Sequence, residues 1–103
     1  MQEIKTLAKY IREELGDAEK YAKQALACKA KDRQLADLFC TLSRQELGHA
    51  DMEHDQAVRL IREAESAGKA APESMTAIWE WEHEQMVERK AEVLVLLDMY
   101  KNG

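Results

Sequence analysis

Residues that break regular structure are nearly missing from this chain, which has 4 glycines and 1 proline in 103 residues. A many-stranded β fold needs turn chemistry every ~8–12 residues, so that class is excluded. Long helices remain, and the apolar positions agree by recurring three and four residues apart. A first helix is expected over about residues 2–28, with Ile4, Leu7, Ile11, Ala18, Tyr21 or Ala22, Ala25 and Cys28 on one face. Lys29-Ala30-Lys31-Asp32 interrupts it, and Asp32 suits the N-cap of the next element. A second helix follows over about 33–64, with Leu35, Phe39, Leu42, Ala57, Leu60 and Ile61 on one face. Gly68 then serves as a C-terminal cap and Pro72 opens a third helix. That helix covers about 73–100 and carries Met75, Ile78, Trp79, Met86, Val93, Leu94, Leu97 and Tyr100.

Helices of this length run roughly 40–50 Å at their rise per residue, too long for a compact ball of this mass. Short connections make sequence neighbours antiparallel. The expected fold is therefore all-α: one domain of three long antiparallel amphipathic helices in a rod-like bundle. A further copy would cover more of Trp79, Trp81 and the third helix, so a homodimer or larger homo-oligomer is expected.

Charge and apolar run length narrow the function classes. The net charge is −5 and basic residues alternate with acidic ones, whereas a nucleic-acid binder shows a basic stripe. No apolar run approaches the ~18 residues of a membrane helix, and Met1 to Tyr10 lack the apolar core of a signal peptide. No nucleic-acid or membrane partner is expected, and the cytoplasm is the expected compartment. Cys28 and Cys40 fall at axial levels roughly 10 Å apart across a turn near residue 30, too far for an unstrained disulfide. Both are read as reduced packing residues.

The apolar stripes are broken by charge in matching places. In the first helix the stripe passes through Glu14, between Ile11 and Ala18; in the second, Glu46 and His49 continue Phe39 and Leu42 and lead to Glu53 and Ala57. Counted from a turn near residue 30, Glu14, Glu46 and His49 reach nearly the same height on facing helices. Glu-x-x-His points an oxygen and a nitrogen ligand the same way, because residues three apart are surface neighbours. A buried, unpaired carboxylate costs several kcal/mol, so these groups need a cationic partner, a metal or more exposure. A solvated or salt-bridged polar seam is the plainer alternative to a metal site, since Lys and Arg are plentiful.

At these residues the chain resembles the ferritin-like superfamily. Glu14 followed at seven residues by Tyr21, then Glu46-Leu47-Gly48-His49, looks like the first half of its metal-binding pattern. Leu35-Ala36-Asp37-Leu38-Phe39 running into Gln45-Glu46-Leu47-Gly48-His49-Ala50 is similar to rubrerythrins. The whole chain also resembles small uncharacterised ferritin-like proteins of phage and prophage genomes. In the family, two glutamates and two Glu-x-x-His motifs on four helices hold two metal ions. The resemblance covers about residues 7–62 and implies a di-iron site that binds, oxidises or stores Fe(II), a ferroxidase-type oxidoreductase activity. Here only three helices are present. A two-fold dimer would supply four glutamates and two histidines from Glu14, Glu46 and His49 of each copy, the manner of encapsulated ferritins, which the hairpin also resembles. The third helix would then flank the site.

Glu80-Trp81-Glu82-His83 repeats the spacing, but its height on an antiparallel third helix matches His54 rather than His49. Glu80, His83 and His54 are therefore second-tier metal candidates. Their plainer readings are a charged surface face and a hydrogen-bonded interface histidine. Tyr21 reads as a packing residue with its hydroxyl near the site. Carboxylate-rich sites without thiolates suit harder metals, so iron is expected, manganese is the alternative, and zinc is less suited. The competing functional class is a metal-free helical interaction module, such as a phage accessory protein, that kept the fold and lost the chemistry.

Overall fold

The computed structural model describes residues 2–69 and 72–103, and the described part is all-helical. Helix α1 spans Gln2–Cys28, α2 spans Arg33–Ser66 and α3 spans Glu73–Asn102. The second and third run slightly past their expected ends. Asp32 caps α2 as its residue type suggests: its side chain accepts a hydrogen bond from the Leu35 N–H at 3.0 Å. Gly68 adopts a left-handed φ of 71° just past the end of α2, a conformation that costs glycine little. Pro72 leads into α3. Ala70 and Ala71, between these two signals, lie outside the described residues.

The particle measures 56 × 18 × 17 Å, close to the length of its longest helix. Contacts fix the directions. Ser43 meets Ala18, Phe39 meets Tyr21 and His49 meets Glu14, so numbers fall on α2 as they rise on α1, and the pair is antiparallel. Arg12 pairs with Glu82, Glu19 with Arg89, and Lys29 donates to the Tyr100 carbonyl. Numbers there rise together, and α3 runs parallel to α1. It packs chiefly on α1 and touches α2 sparingly.

The core is built from heptad stripes. On α1, Ile4, Ala8, Ile11, Leu15, Ala18, Ala22 and Ala25 are buried, alternating four and three residues apart. On α2 the same alternation buries Ala36, Cys40, Ser43, Leu47, Ala50 and Ala57. On α3 it buries Met86, Val93, Leu97 and Tyr100. This spacing is the 3.5-residue repeat that keeps one seam facing its neighbour in left-handed helical packing. The centre of the α1–α2 seam is unusually small: Ala18, Ala22, Ala25 and Ala36 are fully buried. Ser43, also fully buried, donates to the Ala18 carbonyl at 2.7 Å.

From Ala36 to Ala50 the buried stripe on α2 lies one residue along from the expected one, whereas Ala57 is buried as expected. Leu35 is 39% exposed, and Phe39 and Leu42 are only half-buried. Small side chains let the two backbones approach, and that approach pushes the larger ones onto the flank. On α1, Ala8 takes the core position beside half-buried Leu7, Leu15 joins the core, and Ala22 rather than Tyr21 faces inward. Ile78 and Leu94, expected in the α3 core, are exposed. The α3 seam instead follows Trp79, His83, Met86, Lys90, Val93, Leu97 and Tyr100. Both cysteines are free, and Cys40 lies in the core.

A seam this tight leaves no space for added volume. Ala22→Leu should destabilise the protein by about 1–3 kcal/mol through overpacking, read as a lower urea midpoint. A leucine accepted there at wild-type stability would show that the helices are free to separate.

Candidate metal centre

Glu14, Glu46 and His49 come together as their sequence positions suggest. Each offers one donor atom, and these atoms all lie within 4.8 Å of one another. His49 Nδ1 sits 3.4 Å from Glu14 Oε2 and 3.7 Å from Glu46 Oε1. Donors bonded to one small cation at about 2.0–2.2 Å are roughly 3.3–3.6 Å apart in a tetrahedral arrangement. The two separations from His49 are close to that size.

The cluster sits on the rim of the α1–α2 seam and not in the core. Side-chain exposure is 26% for Glu14, 20% for Glu46 and 50% for His49. The expectation that the core stripe itself passes through Glu14 is corrected by the heptad register: Leu15 takes the core position and Glu14 lies beside it. The flank matters too. Glu19 pairs with Arg89 of α3, and Glu14, five residues earlier, lies about 140° away around α1. Helix α3 therefore packs on the opposite side of the hairpin and does not flank the cluster.

The electrostatics of this rim are those of crowded acids. The Glu46 carboxyl is pushed from its ordinary value of 4.5 up to about 7. The leading cause is a hydrogen bond to Glu14, which only protonated Glu46 can donate; burial and the Glu14 charge add to it, and His49 opposes it. Glu53 lies near the cluster without belonging to its donor set. It lies four residues past His49, its Oε1 is buried with no hydrogen-bond partner, and its carboxyl is also raised. Burial is the main cause, with Glu46 and Glu13 adding to it and His49 opposing it. The sequence signals this proximity, because Glu46, His49 and Glu53 follow the same four-and-three spacing as Leu35, Phe39 and Leu42.

Basic side chains do not neutralise this face. Among the described residues, Arg12 pairs with Glu82, Lys23 and Arg89 with Glu19, Arg33 with Asp37, Arg59 with Glu63, and Lys90 with Asp51. No Lys or Arg ion pair among them reaches Glu14, Glu46 or Glu53. Among the described residues the seam is therefore not one bridged by Lys or Arg; the charged contacts at Glu14 and Glu46 are those with the half-exposed His49. Two carboxylates and one imidazole make a donor set suited to Fe(II) or Mn(II).

The other singled-out residues lie elsewhere. His54 and His83 approach across α2 and α3 with ring centroids 5.1 Å apart, packed against Trp79. Glu80 is exposed and outside both groups. Tyr21 is half-buried and stacks on Phe39 at 6.3 Å, two helical turns from Glu14. Trp79 is half-buried and Trp81 is 59% exposed. No helix among the described residues is long and apolar enough to cross a membrane. No family model, curated protein or solved structure matches this chain, so a functional reading rests on its own residues.

The raised Glu46 carboxyl sets a pH dependence for the metal-free protein. Between about 4.5 and 7 the folded state holds a proton that the unfolded state releases, so stability falls as pH rises through this window. Glu46→Gln removes that slope. At pH 8 it should exceed wild type by roughly 1–2 kcal/mol, after allowing for solvent screening at the rim. Paired urea titrations at pH 5 and pH 8 read the difference, and equal slopes for both proteins would show that the carboxyls do not interact.

Proposed function

We propose that this chain is a ferritin-like metal-binding protein that holds Fe(II), with Mn(II) as the alternative, through Glu14, Glu46 and His49. The observation that carries the reading is the donor triangle: three ligand atoms within 4.8 Å, drawn from two helices, on a face that no described Lys or Arg neutralises. Glu46 and His49 grip from one helix at a spacing of three residues, and Glu14 reaches from the other. Bound iron would supply redox chemistry toward oxygen species, and Fe(II) oxidation or storage is the activity proposed. The chain's own part is to bind the ion and balance its charge. Glu53, with its unpartnered oxygen, offers a further acceptor beside the triangle.

The reading includes a two-fold dimer. Three protein donors leave an ion's coordination unfinished, and a second copy would bring three more. The flank that carries the cluster is also the one onto which Leu35, Phe39 and Leu42 are displaced, in line with Glu46 and His49. Leu38 and Leu35 are exposed beside it. A copy packed there would bury apolar surface at about 25 cal/mol per Å² and enclose both clusters.

Anaerobic titration calorimetry with Fe(II) or Mn(II), beside light scattering, tests both parts. Wild type should bind the ion and gain thermal stability by mass action. Glu46→Ala should lose at least tenfold in affinity, and its melting temperature should no longer respond to iron. A strict monomer at micromolar concentration, with and without metal, would remove the shared site. If wild type and Glu46→Ala bind equally, or neither binds, a metal-free interaction module takes the place of the metalloprotein.

A further inference from the structure

The second helix carries its acid-and-histidine spacing twice. Glu46-Leu47-Gly48-His49 faces the open flank, and Asp51-Met52-Glu53-His54 begins five residues later. That offset turns the second pair about 140° around α2, toward α3. There His83 meets it. The His54 and His83 rings lie 5.1 Å apart between centroids, with planes tilted by 31°. Two imidazoles bonded to one tetrahedral ion at about 2.0 Å have centroids roughly 5.1–5.2 Å apart, since each ring centre lies a little over 1 Å behind its nitrogen. Trp79 packs on both rings, at 6.0 Å from His54 and 6.2 Å from His83, which restricts their orientations before any ligand arrives.

We propose that Asp51, His54 and His83 form a second cation site at the α2–α3 seam, taking a borderline divalent metal of which Zn²⁺ is the representative. The three residues line one cavity of about 160 Å³ together with Lys90 and apolar side chains. Their donor atoms are not gathered as those of Glu14, Glu46 and His49 are, so the site is completed by turning Asp51 from Lys90 toward the two rings. Asp51 is one helical turn from His54, and its partner in the structure is Lys90 at 2.8 Å. Both side chains of that pair are substantially exposed, 55% for Asp51 and 41% for Lys90. An exposed pair of this kind contributes at most about 1 kcal/mol, so releasing the carboxylate to a metal costs little. Asp55 Oδ1 lies 3.6 Å from His54 Nδ1. That separation is beyond hydrogen-bond distance, so Asp55 does not fix which ring nitrogen faces the ion.

Two imidazoles and one carboxylate differ from the acid-rich donor set on the other flank, and the difference selects the metal. More imidazole and less carboxylate favours zinc, copper or nickel over manganese or magnesium. The consequence for the fold is local. Helix α3 touches α2 sparingly, and a metal bound by both would clamp this part of α3 to the hairpin. The site is independent of the Glu14–Glu46–His49 reading, because the two share no ligand.

Zn²⁺ titration of the Glu46→Ala protein, which lacks a ligand of the first cluster, tests the proposal. One equivalent should bind and raise the melting temperature, and adding His83→Ala or His54→Gln should weaken binding at least tenfold. Binding unchanged by both histidine substitutions, or no binding by Glu46→Ala, overturns the site. If those variants fold poorly, the wild-type chain still decides. It has only three histidines, so its imidazole nitrogens can be followed individually by long-range ¹H–¹⁵N NMR. Zn²⁺ should shift the ring nitrogens of His54 and His83, and a shift confined to His49 overturns the proposal.

Discussion

The close approach of α1 and α2 along their alanines decides most of what else this molecule displays. Ala18, Ala22, Ala25 and Ala36 have no side-chain bulk to hold the backbones apart, and Ser43 adds a hydrogen bond across the same seam. Burying Ala gains less by hydrophobic transfer than burying Leu, yet it costs no side-chain entropy and permits close packing of the adjoining chain. The larger residues of α2 must then go somewhere. The four-and-three alternation offers two adjacent stripes, one starting at Ala36 and one at Leu35, and the seam takes the smaller. Leu35, Phe39 and Leu42 are turned out by one residue position, and Glu46, His49 and Glu53 go with them. The apolar flank and the acidic cluster thus share one geometric cause.

Charge is divided across the hairpin in the same way. Helix α3 is tied to α1 and α2 by Arg12 with Glu82, Glu19 with Arg89 and Asp51 with Lys90. At the far end Lys29 donates to the Tyr100 carbonyl, and the Tyr100 hydroxyl donates to Asp37. Exposed pairs such as these contribute little each, but they fix which side of the hairpin α3 occupies and leave its direction without ambiguity. They also draw cations away from the opposite rim. The Glu46 carboxyl is raised first by its hydrogen bond to Glu14 and then by burial, that of Glu53 by burial, and the half-exposed imidazole of His49 is the group that opposes both shifts.

The number, order and approximate limits of the helices were legible because their signals are local. Periodicity, the Asp32 cap, Gly68 and Pro72 each act within a few residues. Heights along the hairpin were legible too, since a short turn makes the rise per residue a ruler, and Glu14, Glu46 and His49 meet accordingly. Rotation about the helix axis was not. Ranking residues by hydrophobicity favours Leu35 and Phe39 over Ala36 and Cys40, whereas the packing that forms is chosen by closeness of approach, a property of two helices at once. The same one-residue error made Glu14 look like a core residue. Helix α3 was harder still, because apolar residues occur around its whole circumference: Ile78, Trp81, Val87, Leu94, Val95 and Met99 are all exposed. Its buried stripe is set by where α1 lies.

These constraints link assembly to ligand binding if the proposed two-fold contact forms on the acidic flank. Apolar surface from Leu35, Phe39 and Leu42 favours bringing two copies together there. The carboxylates oppose it, since the contact would set the acids of one copy against those of the other where Glu46 already retains a proton to about pH 7. Neutralisation decides between the two terms. Protons can supply it at low pH, and a divalent cation can supply it at neutral pH while drawing on donors from both chains. Any ligand that binds the paired state more tightly must stabilise the pair by the same coupling free energy. In that proposed contact the half-buried acids beside apolar neighbours would act as a brake on empty association, and a bound metal would release it.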